Sequence, residues 1–206
     1  YGMTHVGGNV NSRLGFRGVE DLGNGLKATF NLESGFSADD GTNYMGQDGL
    51  AFTRTSTVGL AGNFGEVRLG RMLTSSYLAV SRYDAFGDTG IGASLAWKRA
   101  YPSRAENAIS YTSPSFSGFK FGGEYGFGEK EDARTSRYIG VGAMYDNGPL
   151  SLGLGFDRIN NVGYTAANPT ALPPVAFNAG KDHTSWQLGG AYNFGVAKLL
   201  SFYKQS

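Results

Sequence analysis

The sequence has no cysteine among its 206 residues, which excludes disulfide bonds and thiolate metal sites and suits a chain that crosses an oxidising periplasm. It also lacks any run of about 18 apolar residues, so no transmembrane helix is predicted. Prolines are few, at 6, and the formal charge of +1 gives no whole-molecule field for binding nucleic acid. We therefore predict no nucleic-acid partner and no cofactor. Such a chain could cross a membrane only as a β-barrel.

The abundant residues indicate a β protein. Glycine occurs 33 times, phenylalanine 14 times and tyrosine 12 times, a mixture typical of an aromatic-rich β-sheet. Residues 12–36 show the clearest pattern, two alternating stretches around a glycine-rich turn, which predicts a hairpin. Its second strand has an apolar and a polar face, formed by Leu26, Ala28, Phe30 and Leu32 on one side and Lys27, Thr29, Asn31 and Glu33 on the other. Such strands fit either a membrane barrel or a soluble β-sandwich.

The lengths of the connections separate these two alternatives. Short turns and long polar segments alternate along the chain, and about eleven strands of roughly 9 to 11 residues lie between them. Outer-membrane barrels have short periplasmic turns and long extracellular loops, whereas a soluble sandwich does not sort its connections in this way. Aromatic residues near the strand ends suit the two membrane interfaces. The sequence therefore predicts an all-β, antiparallel transmembrane barrel.

Three stretches carry a resemblance to a known family: SRLGFRGVEDLGNGLKATFNLESGF at 12–36, VGLAGNFGEVRLGR at 58–71 and NAISYTSPSFSGFKF at 107–121. With them the chain resembles the Gram-negative general porins of the betaproteobacterial and neisserial type. The resemblance implies a sixteen-stranded barrel in the outer membrane, usually a homotrimer, surrounded by lipid and lipopolysaccharide. It also implies a water-filled channel for passive diffusion of small hydrophilic solutes and ions.

Residues 1–206 are accordingly expected to form a single barrel domain that is incomplete on its C-terminal side. About eleven strands would leave unpaired backbone edges in lipid, where each unpaired polar group costs several kcal/mol. Residues 72–105 are the longest stretch without alternation, so we predict one long loop there. In porins of this type the third extracellular loop folds inward and narrows the pore, and the resemblance assigns that role to this segment.

Strand parity predicts which charged side chains face the lumen. They are Arg13, Arg17, Lys27, Arg68, Lys98, Arg104 and Lys120 among the bases, and Glu33, Glu66, Glu106 and Glu124 among the acids. Most of them could equally be ordinary solvated residues on a wet face. Arg54 is the exception, because its parity with Val58 and Leu60 places it outward, at the rim or in a subunit interface. An unpaired arginine facing lipid near mid-bilayer would cost roughly 2–4 kcal/mol.

A smaller set is predicted to form the constriction. Arg17, Arg68 and Arg104 lie on strands that flank the 72–105 segment, and Asp84 and Asp88 within that segment supply acidic groups facing them. A few charges in a narrow, low-dielectric passage outweigh a small net charge spread over the chain. If the arginines project further into the lumen than the carboxylates, anions should pass preferentially.

Enzymatic function is not expected. Some outer-membrane barrels are hydrolases, but a serine–histidine site needs a positioned histidine, and the sequence offers only His5 and His183. No nucleophile elbow, zinc-protease or phosphate-loop motif is present. The Gly-x-Gly repeats are not followed by a helix, so they are interpreted as positions that relieve crowding in a curved barrel wall. A soluble β-sandwich binding protein and a barrel hydrolase remain the alternatives.

Overall fold

Ten antiparallel strands in chain order form one sheet in the computed structural model, which describes residues 12–38, 40–43, 50–86, 103–128, 137–160 and 182–205. The strands are β1 (Arg13–Gly23), β2 (Leu26–Gly35), β3 (Thr55–Gly62), β4 (Gly65–Leu73), β5 (Arg104–Thr112), β6 (Phe119–Gly126), β7 (Tyr138–Asn147), β8 (Leu150–Ile159), β9 (His183–Asn193) and β10 (Lys198–Gln205). The predicted all-β antiparallel architecture is confirmed. The sequence indicated about eleven strands, and ten of them lie within the described residues. Within those residues, β1 pairs only with β2, and β10 only with β9.

The two ends of the sheet differ in the length of their connections. At one end, called the turn end, consecutive strands are joined by residues 24–25, 63–64, 113–118, 148–149 and 194–197. At the other, called the loop end, the connections are residues 36–54, 74–103, 127–137 and 160–182. The turn between β1 and β2 illustrates why the short connections form. Asn24 and Gly25 both have positive φ (54° and 76°), the backbone that a two-residue hairpin turn requires and that an Asn-Gly pair tolerates.

The segment between β4 and β5 is not one irregular loop as the sequence predicted. It begins with the helix α1 (Ser75–Val80), followed by a single 3-10 turn, Ser81–Tyr83. A helix of six residues produces no period-two alternation, so the pattern that predicts the strands does not reveal it. Residues 87–102 of this segment lie outside the described residues.

The described residues bury little apolar side-chain volume, as expected for a single-layer sheet. One small cluster joins Met72, Ala105, Ala108 and Tyr138, with Ile159 packed against it. A second joins Ala79 and Val80 of the segment after β4 to Met144 and Phe202 of the sheet. Both clusters involve the side of the sheet on which α1 lies, so the segment is part of the packed structure. None of the helices in the described residues is long and apolar enough to cross a membrane.

Candidate functional site: the polar face of the sheet

The strand register separates the sheet into a polar and an apolar face. Directly opposite residues of neighbouring strands share a face, so a row can be followed across the sheet. One such row reads Val19, Thr29, Gly59, Arg68, Ser110, Glu124, Gly140, Asp157 and Ser185. The adjacent row reads Gly18, Phe30, Val58, Leu69, Ile109, Tyr125 and Ile139. The first face is largely polar and the second carries exposed apolar side chains.

Aromatic side chains pair on the apolar face near both ends of the sheet. Phe119 and Tyr145 have ring centroids 4.3 Å apart near the turn end, and Phe156 and Trp186 lie 4.6 Å apart toward the loop end. Such rings suit the two headgroup regions of a bilayer. The apolar face therefore has the features expected of a surface in contact with lipid.

The register places most of the charged residues predicted for the lumen on the polar face. They are Arg13, Arg17, Lys27, Glu33, Glu66, Arg68, Lys120 and Glu124. Arg17 is exposed and lies opposite Asn31. The Arg68 side chain leans over Gly59, where an added Cβ would lie 2.9 Å from Arg68 Cγ. Its Nε lies 3.7 Å from a carboxylate oxygen of Glu66.

Glu106 does not follow the predicted parity. Asn107 has a left-handed backbone (φ 47°) and the β4–β5 register shifts between Gly70 and Met72, so the alternation changes phase at this bulge. Glu106 then lies beside Arg71 of the apolar face, whose Nη1 donates to it at 2.6 Å, and its side chain is 65% exposed. The prediction that Glu106 faces the lumen was wrong, because parity counting assumes an unbroken strand.

The same shift applies to Arg104, the first residue of β5. It lies opposite Leu73, and its Nε donates to the backbone carbonyl of Arg54 at 2.7 Å. Arg104 is therefore at the loop end beside Arg54, and the structure does not bring it into one row with Arg17 and Arg68.

Arg54 lies at the loop end of the sheet, in agreement with the rim position that was one of its two predicted alternatives. It precedes β3, so strand parity does not apply to it, and its Nε donates to a carboxylate oxygen of Glu33 on the polar face. The side chains of Arg54 and Glu33 are 18% and 26% exposed. Only the outward orientation inferred from strand parity was wrong, because the Arg54 side chain is ion-paired with Glu33 of the polar face.

Two carboxylates of the polar face hold the start of α1. Glu124 on β6 accepts the backbone N–H of Ser75 with both oxygens, at 3.0 and 2.9 Å, and also accepts the Ser75 hydroxyl. Asp157 on β8 accepts the Ser76 hydroxyl at 2.5 Å. Asp157 receives three further donors from the sheet, the side chains of Tyr138, Ser185 and Gln187. Glu124 and Asp157 are 5% and 1% exposed. The groups that donate hydrogen bonds to these two buried carboxyl groups therefore belong to the protein itself.

The end of the segment is held near the turn end of the sheet. Both terminal nitrogens of Arg82 donate to the carboxylate of Asp146, at 2.9 and 2.7 Å, a bidentate arrangement. The Tyr83 hydroxyl lies 2.8 Å from Ser151 Oγ, and the Tyr83 side chain is buried. Residues 74–86, called the inner segment, therefore run along the polar face from Glu124 toward the turns. Sequence reasoning missed Arg82, Tyr83, Asp146 and Asp157, because only the register shows that they face one another.

The acidic residues predicted for the constriction are only partly described. Asp84 is buried, and its Oδ1 accepts the backbone N–H of Phe86 at 2.9 Å. Asp88 and Lys98 lie outside the described residues, so the position of Asp88 opposite the arginines and that of Lys98 in the lumen stay predictions. Among the described residues, no group of three or more His, Cys, Asp or Glu side chains could hold a metal ion.

Comparisons with known proteins agree with this architecture. The family model for Gram-negative porins matches residues 2–206. The chain is 43% identical over 218 residues to outer membrane porin protein 32 of Delftia acidovorans, covering 100% of this chain and 57% of that protein. It is 34% identical to an outer-membrane porin of Bordetella pertussis, over 95% of this chain and 52% of that one.

A solved structure described as an anion-selective porin from Comamonas acidovorans superposes with a TM-score of 0.77 at 40% identity, over 96% of this chain and 58% of that chain. The chain thus spans little more than half the length of these relatives. The soluble sandwich and the barrel hydrolase are set aside, since the porin match extends over nearly all of the sequence. The chain belongs to the Gram-negative porin family.

Proposed function

We propose that the protein forms a water-filled channel through which small hydrophilic solutes and ions diffuse passively. The supporting observation is the separation of faces across ten consecutive strands, with the inner segment fixed to the polar one. A polar wall beside an apolar one is the arrangement that a channel in lipid requires. As a member of this family the protein is located in the outer membrane of a Gram-negative bacterium.

On the polar face the acidic side chains have hydrogen-bond or ion-pair partners, whereas several basic side chains have none. This difference supports a preference for anions. The strand carboxylates of this face all accept hydrogen bonds or ion pairs from the protein: Asp21, Glu33, Glu66, Glu124, Asp146 and Asp157. By contrast, five exposed cations of this face make no hydrogen bond or ion pair within the described part of the chain: Arg13, Arg17, Lys27, Lys120 and Lys198. The solved relative described as anion-selective is consistent with this proposal.

The predicted constriction is kept as part of the proposal. Arg17 and Arg68 would supply positive potential along the wall, and Arg104 with Arg54 would supply it at the loop end. Residues 72–105 would narrow the passage, with Asp84 and Asp88 as acidic groups on the opposite side. Low-dielectric walls focus the electric field of these charges. The sign of the charges in the constriction therefore affects ion selectivity more than the net charge of the chain does.

The assembly is proposed from the family resemblance. We expect a homotrimer with the apolar face against outer-membrane lipid, lipopolysaccharide and neighbouring subunits, and a closed barrel of about sixteen strands. The first strands would supply the subunit interface. The mass of the detergent-solubilised protein, measured by light scattering, tests this expectation, and a monomeric mass would contradict it.

Reversal potential across a planar bilayer under a salt gradient tests the function. The parent protein should conduct with a reversal potential of the sign for anion preference, and the preference should fade as the Debye length falls from about 10 Å at 0.1 M salt to about 3 Å at 1 M. Arg17→Ala combined with Arg68→Ala should move the reversal potential toward zero. Failure of the parent protein to form channels would refute the function itself.

The control variant removes the same charge from the other face. Arg71 and Arg158 lie on the apolar face and are paired with Glu106 and Asp182, so Arg71→Ala combined with Arg158→Ala should leave the reversal potential unchanged. Equal shifts in the two double variants would mean that the polar-face arginines do not set the field.

A further inference from the structure

Five glycines of the polar face, Gly122, Gly142, Gly153, Gly155 and Gly189, lie against the inner segment, and the approach is closest at three of them. A Cβ atom added at Gly142 would lie 2.1 Å from the carbonyl oxygen of Ser75, and one at Gly153 would lie 2.1 Å from that of Ala79. A Cβ at Gly189 would lie 2.1 Å from Cδ2 of the Tyr83 ring. These three glycines, on β7, β8 and β9, are called the seat. At each of them any side chain would overlap an atom of the inner segment.

Glycines on the opposite face of the same region do not have this property. A Cβ at Gly190, the neighbour of Gly189 on β9, would meet Leu152 Cδ2 at 3.4 Å. A Cβ at Gly123 on β6 would meet the carbonyl oxygen of Gly140 at 3.4 Å. Both distances are ordinary van der Waals contacts, so the close approach is confined to the side that carries the inner segment.

The inner segment is held down on the seat from both of its ends. Glu124 binds the N–H and hydroxyl of Ser75, and Asp146 binds Arg82 through two hydrogen bonds. Between them the buried side chains of Ala79 and Val80 pack on Met144 and Phe202. The inner segment is therefore packed in direct contact with the wall. Because the seat residues have no side chains, they allow this short distance between the segment and the wall.

We propose that Gly142, Gly153 and Gly189 determine the pore size, because they set how far the inner segment stands from the barrel wall. This inference rests on the proposed channel function. A methyl group at Gly189 would have to move the Tyr83 ring from 2.1 Å to an ordinary contact of about 3.4 Å. Since the wall is fixed by its strand pairing, the segment is displaced into the lumen and the open cross-section decreases.

Single-channel conductance of the full-length protein tests this proposal. Gly189→Ala should lower the conductance by roughly a fifth, because ion flow depends on the free cross-section at the narrowest point. Gly190→Ala is the matched control, one residue away on the same strand with its methyl on the apolar face, and should conduct like the parent. Combining Gly189→Ala with Tyr83→Ala should restore most of the lost conductance, because the ring that the methyl meets is gone.

The outcomes separate this proposal from the function on which it rests. If the parent forms no channels, the proposed function is wrong and the inference fails with it. If the parent conducts and Gly189→Ala conducts equally, only the role of the seat is refuted. If Gly189→Ala fails to assemble while Gly190→Ala assembles, the double variant Gly189→Ala with Tyr83→Ala provides the test. The proposal predicts that this double variant assembles, and its failure to assemble would overturn the proposal.

Discussion

Asp157 shows how a buried carboxyl group is accommodated in the sheet. It is 1% exposed and accepts hydrogen bonds from Ser76, Tyr138, Ser185 and Gln187. A buried carboxylate is tolerated only when its oxygens are satisfied in this way. The residue thus joins the inner segment to three strands, and it does so without any partner of opposite charge among these four donors.

Asparagine at position 157 should destabilise the protein. Asp157→Asn replaces one accepting oxygen by an NH₂ donor, so two of the present donors lose their acceptor, at a cost of about 1–3 kcal/mol. Urea unfolding in detergent or lipid should show this decrease. The control is Asp146→Asn, whose exposed ion pair with Arg82 contributes at most about 1 kcal/mol. Equal stability of Asp157→Asn and the parent would contradict the buried network.

Asn107 is the residue at which sequence-based reasoning about facing failed. Successive side chains alternate between the two faces of a sheet only while every residue is extended. The left-handed backbone at Asn107 interrupts this alternation. Asparagine is among the residues that tolerate this conformation, but asparagine is also common in polar loops, so the sequence alone did not reveal the bulge. Arg13, Arg17 and Lys27 were assigned to the right face because β1 and β2 pair without a shift until Asp21.

A substitution at Asn107 tests the bulge. Asn107→Gly should be close to neutral, since glycine adopts positive φ at no steric cost. Asn107→Val should lower the free energy of unfolding by about 1–2 kcal/mol, because a β-branched side chain is strained in the left-handed region. If valine and glycine gave the same stability, the bulge at this position would be in doubt.

At the scale of the element, helix α1 depends on the wall against which it lies. Six residues are too few to form a stable isolated helix. Thr74 accepts the N–H of Tyr77 at 3.4 Å, but the carboxylate that binds the first turn is Glu124, 49 residues along the chain. No local sequence signal could therefore predict this helix. The strands were predictable because their apolar side chains repeat every second residue within each strand.

Removing the Glu124 charge should loosen the start of the helix. In Glu124→Gln only one side-chain oxygen remains to accept the N–H and hydroxyl of Ser75, so amide hydrogen exchange in residues 74–80 should become faster. Exchange measured by mass spectrometry on peptides of this region gives the readout. Glu66→Gln is the matched control, because Glu66 on the same face binds Thr29 and Arg68 and not the helix. Unchanged protection in Glu124→Gln would contradict the anchoring role.

In the molecule as a whole, the proposed channel function rests on the separation of two faces. Phe121, Ala143, Leu154, Leu188 and Tyr203 continue the apolar face through β6 to β10. The polar face carries the exposed cations and the inner segment. The sequence was sufficient to predict this separation and the family, whereas the path of the inner segment and its seat required the register of distant strands.

The channel that we propose requires that the polar face lines an aqueous pore and that the apolar face does not. Because these 206 residues contain no cysteine, a cysteine introduced among them is the only one in this part of the protein. Arg17 and Phe16 are neighbours on β1, both exposed, and they lie on opposite faces. The decisive measurement is the current through Arg17→Cys and Phe16→Cys channels in a planar bilayer on addition of a cationic methanethiosulfonate reagent. The current should change in Arg17→Cys and stay constant in Phe16→Cys, and a response in Phe16→Cys with none in Arg17→Cys would contradict the assignment of the two faces.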